Sequence, residues 1–415
     1  MTPSPQVLQS GPSRRGLIVP FAALIVAGAI EPATARAVRR GALDPRTLGA
    51  RGDGHSDDTA ALTRALASGR PVDGGGRTYG VSGWLRAGPR FRGLANCTLR
   101  QLEPTDRNRT LYIAGARDFR LANVAVMRNG RNDDGFVQRD MMDNAGVWLQ
   151  DCSGFELDRV RISGGGVGTG LVMFQCSGFT ASDCNVSHII YRRRERPRDD
   201  FLQGMWINRC RDFELVRPVV SDLGGVDGQG SSRDNNRAIA LGGCSRFRIR
   251  ELNVSSCGQG LDLTGTEGNR DFMIVGGHAA DCFTWGFKFA NSAQMGKVTG
   301  ALAERCGLGG FVVSGRSEMV EPPPQQIDIQ GCRAFDCGDP ARDNTKFGFG
   351  VLRSRPDPDY PRRVRFIDCV AADRRPRRGM KWGFFNEIQA PAAERNTVTR
   401  CTVAGATEAP FYGFA

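Results

Sequence analysis

Two short segments of this 415-residue chain carry opposite charges at equivalent places. Gly260-Leu-Asp262-Leu and Gly286-Phe-Lys288-Phe each set one charged residue between two apolar ones. In an extended strand that middle residue faces away from the core. As neighbouring strands, the two segments would hold Asp262 and Lys288 about 4.8 Å apart on one outer face. The same outward place is taken by Trp148 and Trp206 in sister segments, followed by the outward Phe174 and Asn208. Sugar rings stack on such aromatic faces, and uronate carboxylates pair with Arg. Three long stretches, 128–144, 188–203 and 221–237, are rich in ionisable residues, among them His188, Tyr191, Arg192, Asp200, Asp227, Arg233, Asp234 and Arg237. Long loops on a rigid scaffold commonly carry function. Asp262 with Asp200, Asp227 or Asp234 would supply the two carboxyl groups of glycosidic hydrolysis. β-Elimination would instead use Lys288, Arg237, His188 or Tyr191 as base, with an Arg or an Asp-held Ca²⁺ neutralising the uronate carboxylate. The plainer alternative is a surface ion pair between Asp262 and Lys288, with the tryptophans packed beneath the long loops.

The elements that would position these residues form a repeat. Phe119–Val126, Phe155–Ile162, Phe213–Val220 and Phe247–Val254 share the pattern F-x-φ-x-x-φ-x-φ, where φ is apolar or small, with weaker copies from Phe179 and Phe272. A short G-φ-x-φ strand precedes each, and the shorter copies recur every 23 to 25 residues. Three short strands per repeat, with no helical period, describe one coil of a parallel β-helix. Stacked coils bury a continuous core that a single coil cannot. The thirteen cysteines fall into three columns in this register. Cys152, Cys176, Cys210 and Cys244 follow first strands, and Cys257, Cys282, Cys306 and Cys337 end third strands. Cys97, Cys184, Cys332, Cys369 and Cys401 precede third strands. Buried free thiols or one or two disulfides both fit, and no Cys or His spacing marks a metal site.

Hydrophobic residues make up 40% of the chain, which excludes a wholly disordered protein. Only four Lys accompany 52 Arg, and the net charge is +12. Residues 1–37 read as a twin-arginine-type leader: Arg14-Arg15, the apolar run Leu17–Ile30, then Ala33-Thr34-Ala35. Its removal would leave residues 38–415 as a periplasmic or secreted bacterial protein with no membrane span. Export and the lack of a groove-reading motif argue against a nucleic-acid partner.

Leu48-Gly-Ala-Arg-Gly-Asp-Gly-His-Ser-Asp-Asp-Thr-Ala-Ala-Leu62, with Tyr79-Gly-Val-Ser82, resembles the opening of the pectate-lyase-like superfamily. The resemblance implies an all-β, single-stranded right-handed parallel β-helix of about ten coils. Residues 38–82 would form its N-terminal cap. Ser56 or Asp57 would cap a short helix, and Ala61, Leu62, Ala65 and Leu66 would cover the open end of the stack. The N-x-D, Asp-Asp, His-Gly and R-I-K set of polygalacturonase-like enzymes is absent, as is a D-P-H-D segment of the alginate-epimerase kind. No catalytic residue therefore carries over from those families. The expectation is an enzyme cleaving an acidic polysaccharide, by elimination or hydrolysis. A uronate C5-epimerase and a non-catalytic polysaccharide-binding or envelope-structural protein are the alternatives.

Overall fold

A computed structural model describes residues 41–103, 109–129, 144–165, 168–191, 202–225, 236–265, 267–315, 323–342, 344–353 and 360–414, the side chains of residues 190, 191 and 225 aside. The leader expected in residues 1–37 lies outside them. So do most of the three long loops, with Arg192, Asp200 and Arg233.

A representative coil runs through three strands, Gln203–Asn208, Arg211–Val216 and Val219–Gly225. First strands of successive coils pair in parallel into a 12-stranded sheet, from Leu85–Ala87 to Ala409–Tyr412. Second and third strands join a 22-stranded sheet that forms the other two sides. The chain is thus the expected parallel β-helix. In the early coils one long strand, Gly93–Gln101 or Arg120–Asn129, serves both of those sides.

The repeated phenylalanine is the spine of the core. Phe155, Phe179, Phe213, Phe247 and Phe272 stack in sequence with ring centroids 4.7, 4.8, 5.1 and 5.6 Å apart. The column of repeated phenylalanines gives way at Gly296, where a Cβ would lie 2.0 Å from the Phe272 ring, and Phe272 stacks onward on Phe289 at 5.9 Å. Glycines opening the first strands have a similar cause. At Gly204 a Cβ would meet Val220 at 2.3 Å, where the third strand's side chain fills the corner.

Corners place non-glycine residues in the left-handed region, which their Cβ disfavours. Between second and third strands, Asp183 and Arg217 have φ of 54° and 49°. Arg217 donates to both Asp183 oxygens at 2.7 and 2.8 Å. Asp212–Arg246, Asp281–Arg305 and Asp368–Arg400 repeat this fork across other coils. The planar guanidinium matches a carboxylate one coil away, so the Arg bias has a structural use here.

All thirteen cysteines are free, and all but Cys401 are buried. Cys97 sits inside the strand Gly93–Gln101 rather than in a turn before a strand. Burial pushes the Cys97 and Cys184 thiols up to about 12.

The N-terminal helix α1 spans Thr59–Ala67 and buries Ala61, Leu62, Ala65 and Leu66. Its N-cap position is Asp58, one residue beyond the expected cap. The Asp58 carboxylate turns away and accepts from the backbone N–H of Arg51 and Gly52 at 2.7 and 3.1 Å. Asp57 accepts from the Thr59 N–H at 3.0 Å instead, and Ser56 bonds Asp53. The acidic entry motif is therefore a structural clasp.

Candidate functional site

The outer face of the 12-stranded sheet carries one continuous column. Register sets Tyr112, Trp148, Val172, Trp206, Ala240, Asp262, Lys288 and Val312 side by side, in the order the repeat predicts. A second column includes Arg109, Gln203, Arg237 and Gln259.

Asp262 lies at the centre with no solvent exposure. Arg237 Nε stands 2.9 Å from its Oδ2, and Lys288 Nζ stands 3.5 Å from its Oδ1. Ala240, on the strand of Arg237 and paired in register with Asp262, contributes only a methyl group beside the carboxylate. Lys288 Nζ also donates to Gln259 Oε1 at 3.3 Å. The side chains of Arg237 and Lys288 remain 21% and 19% exposed. The cluster thus shows solvent two partly open cations, held by one hidden carboxylate.

Aromatic rings flank this centre on both sides. Toward the N-terminus, Trp206 stacks on Phe174 at 6.0 Å and meets Trp148 edge-on at 6.3 Å. Trp148 is 6% exposed, because the Arg109 guanidinium covers its ring at 3.7 Å. Trp148 therefore backs the platform, while Trp206 and Phe174 offer partly open rings. Toward the C-terminus, Trp285, Phe347, Phe385, Trp382 and Tyr412 form a second bank. Its rings follow one another at 4.8 to 5.8 Å, and Tyr412 is exposed. The sequence reading missed this bank. Gly348-Phe-Gly-Val351 continues the G-φ-x-φ pattern, and Gly383-Phe-Phe385 follows its first three places, which would have revealed it.

Asn208 follows Trp206 on the same face and is partly open. His188 belongs elsewhere. It lies within the strand Asn185–Tyr191 of the other sheet, at φ 55°, with Nε2 3.6 Å from the Asp222 carboxylate of the next coil. The structure brings together Asp262, Lys288 and Arg237 of the expected catalytic set, and leaves His188 apart. Among the described residues no group of three or more His, Cys, Asp or Glu could hold a metal.

No protein-family model matches the chain, and comparison with curated proteins gave no match. Among solved structures, the A-module of the Azotobacter vinelandii mannuronan C-5 epimerase AlgE4 is similar at 14% identity and a TM-score of 0.58, over 90% of this chain and 99% of that one. The AlgE6 A-module from the same organism is similar at 15% identity and 0.57, over 89% and 97%. The Streptococcus pneumoniae surface protein and adhesin PfbA follows at 11% identity and 0.51, over 89% and 100%. Likeness at this level of identity concerns architecture, and it agrees with the strand pairing: the chain is a parallel β-helix protein.

Proposed function

We propose that this protein is exported by its paired-arginine leader and cleaves a uronate-containing polysaccharide by β-elimination on the outer face of the 12-stranded sheet. One observation carries the reading: two partly open cations, Arg237 and Lys288, share one buried carboxylate between two aromatic banks. A uronate carboxylate would pair with Arg237, whose planar fork suits it. Neighbouring sugar rings would rest on Trp206 and Phe174 on one side, and on Trp382 and Tyr412 on the other. That pairing would draw charge from the carbon beside the carboxylate and ease removal of its proton. Lys288, once its ammonium has released a proton to solvent, would take the C5 proton. The C–H electron pair would become the C4–C5 double bond, the C4–O bond would break, and the departing oxygen would take the proton that Lys288 has just accepted. Asp262 acts here as a positioning residue that aims both cations.

The hydrolytic reading has less support. A carboxylate with no exposed surface and a cation on each side is not open to a glycosidic oxygen. Asp262 burial favours one other reading, a non-catalytic site in which the same cations only bind uronate. The two separate by product analysis on uronate polymers with wild-type protein and Lys288→Met. Elimination predicts an unsaturated uronate end, absent from the variant, while binding persists within about threefold. Binding with no product from the wild-type protein would leave the non-catalytic reading standing and remove the enzymatic one.

A further inference from the structure

The side formed by the second strands carries a separate groove, away from the Asp262 face. Two adjoining hollows of about 660 and 560 Å³ share Met295 and Lys297. Exposed Arg on this protein is habitually neutralised by an Asp of the adjacent coil, as at Arg217, Arg305 and Arg400, and at Arg246 inside the larger hollow. Beyond Arg246 the habit breaks. Arg365 is forked to Asp328, yet Lys297, Arg248 and Arg395 have no charged or hydrogen-bonding partner among the described residues. Arg363 meets only the Ala393 carbonyl, at 3.4 Å. The smaller hollow is lined by four basic residues and one acidic residue, which is itself engaged by Arg365.

Register spaces these charges along the stack. Lys297 and Arg365 occupy one column with Asp328 between them, and Arg363 lies in the column of Met295. At one coil per rung, cations two coils apart are about 10 Å apart. The cations left without a charged partner, Lys297, Arg363 two coils on and Arg395 beyond it, suit a polymer that carries several negative charges.

We infer that this groove is a second, non-catalytic binding site for an acidic polysaccharide strand, lying along the helix axis over Lys297, Arg363 and Arg395. It rests on the proposed function only for the choice of polymer. Single-stranded nucleic acid fits less well, because base stacking needs open aromatic faces. The groove's phenylalanines, Phe179, Phe213, Phe247 and Phe272, are all turned into the core.

The test is direct binding of polygalacturonate and, separately, of heparin to the full chain at low and moderate salt. The variants are Lys297→Ala/Arg363→Ala/Arg395→Ala and, on the other face, Lys288→Met. All three groove positions are exposed, so thermal melting should match the wild type. The expected result is at least tenfold weaker binding by the triple variant, with a flatter salt dependence. Lys288→Met should retain this component, so loss of turnover and loss of groove binding are read separately. Unchanged affinity in the triple variant, or no binding of either polymer by the wild type, overturns the inference. Equally tight binding of single-stranded DNA through the same three residues overturns its choice of polymer.

Discussion

Removing the Asp262 carboxylate should leave two cations facing each other without their counter-charge. The side chain is fully buried, with Arg237 and Lys288 at 2.9 and 3.5 Å. Breaking a buried pair from one side typically costs ~3–5 kcal/mol. Arg237 and Lys288 keep about a fifth of their side chains in water, so solvent relieves part of the loss. Asp262→Ala is therefore expected to destabilise by roughly 2–3 kcal/mol, below the fully buried range. The assay is urea unfolding followed by circular dichroism, comparing midpoints at a common slope. Pairing it with Lys288→Met completes a cycle. With the ammonium gone, the double variant should recover about 1 kcal/mol relative to Asp262→Ala alone. An Asp262→Ala loss smaller than about 0.5 kcal/mol would refute the reasoning, as would a double variant no better than the single.

Three other expectations follow from the scaffold. Phe213→Ala removes a buried ring from the middle of the stack, between Phe179 and Phe247, and should cost ~3–5 kcal/mol by the same assay, whereas a surface-like loss under 1 kcal/mol would contradict the ladder. Thiol titration of the native protein near neutral pH should find at most the half-buried Cys401, against all thirteen after unfolding; several fast native thiols would contradict the buried columns. The Arg forks hold Asp183, Asp212 and Asp281 below their ordinary value of 3.8. A depressed acid contributes stability that is complete above that value and lost as pH falls through the lower, folded-state one. Melting temperature should therefore hold down to about pH 4 and drop below it, and a triple Arg217→Met/Arg246→Met/Arg305→Met variant should show a shallower acid drop; identical acid limbs would exclude this source.

Much of this was legible because strand period and coil period are local properties. The order Trp148, Val172, Trp206, Ala240, Asp262, Lys288, Val312 follows from aligning glycine-led strands, and the pairing repeats it. Exposure was not legible in the same way. Alternation says which side a residue faces, not what lies over it. Arg109 covers Trp148, and the large rings of Phe347 and Phe385 bury Val312. His188 shows another limit. It sits just before a long connection, yet its strand continues through Tyr191 with one left-handed residue inside it. A kink of that kind leaves no mark in hydrophobic period. The helix cap shifted by one residue because the Asp58 carboxylate is drawn to Arg51 and Gly52, a contact set by how the chain folds back. Arg192, Asp200 and Arg233 lie outside the described residues.

The central claim is that a proton is removed from the carbon beside a uronate carboxylate at Lys288 and Arg237. The most direct measurement is the fate of that C5 proton, followed by nuclear magnetic resonance during incubation with uronate polymers in heavy water. The account predicts loss of the C5 proton signal together with new vinylic signals from an unsaturated end, both abolished by Lys288→Met. Chain cleavage with the C5 proton intact would contradict it.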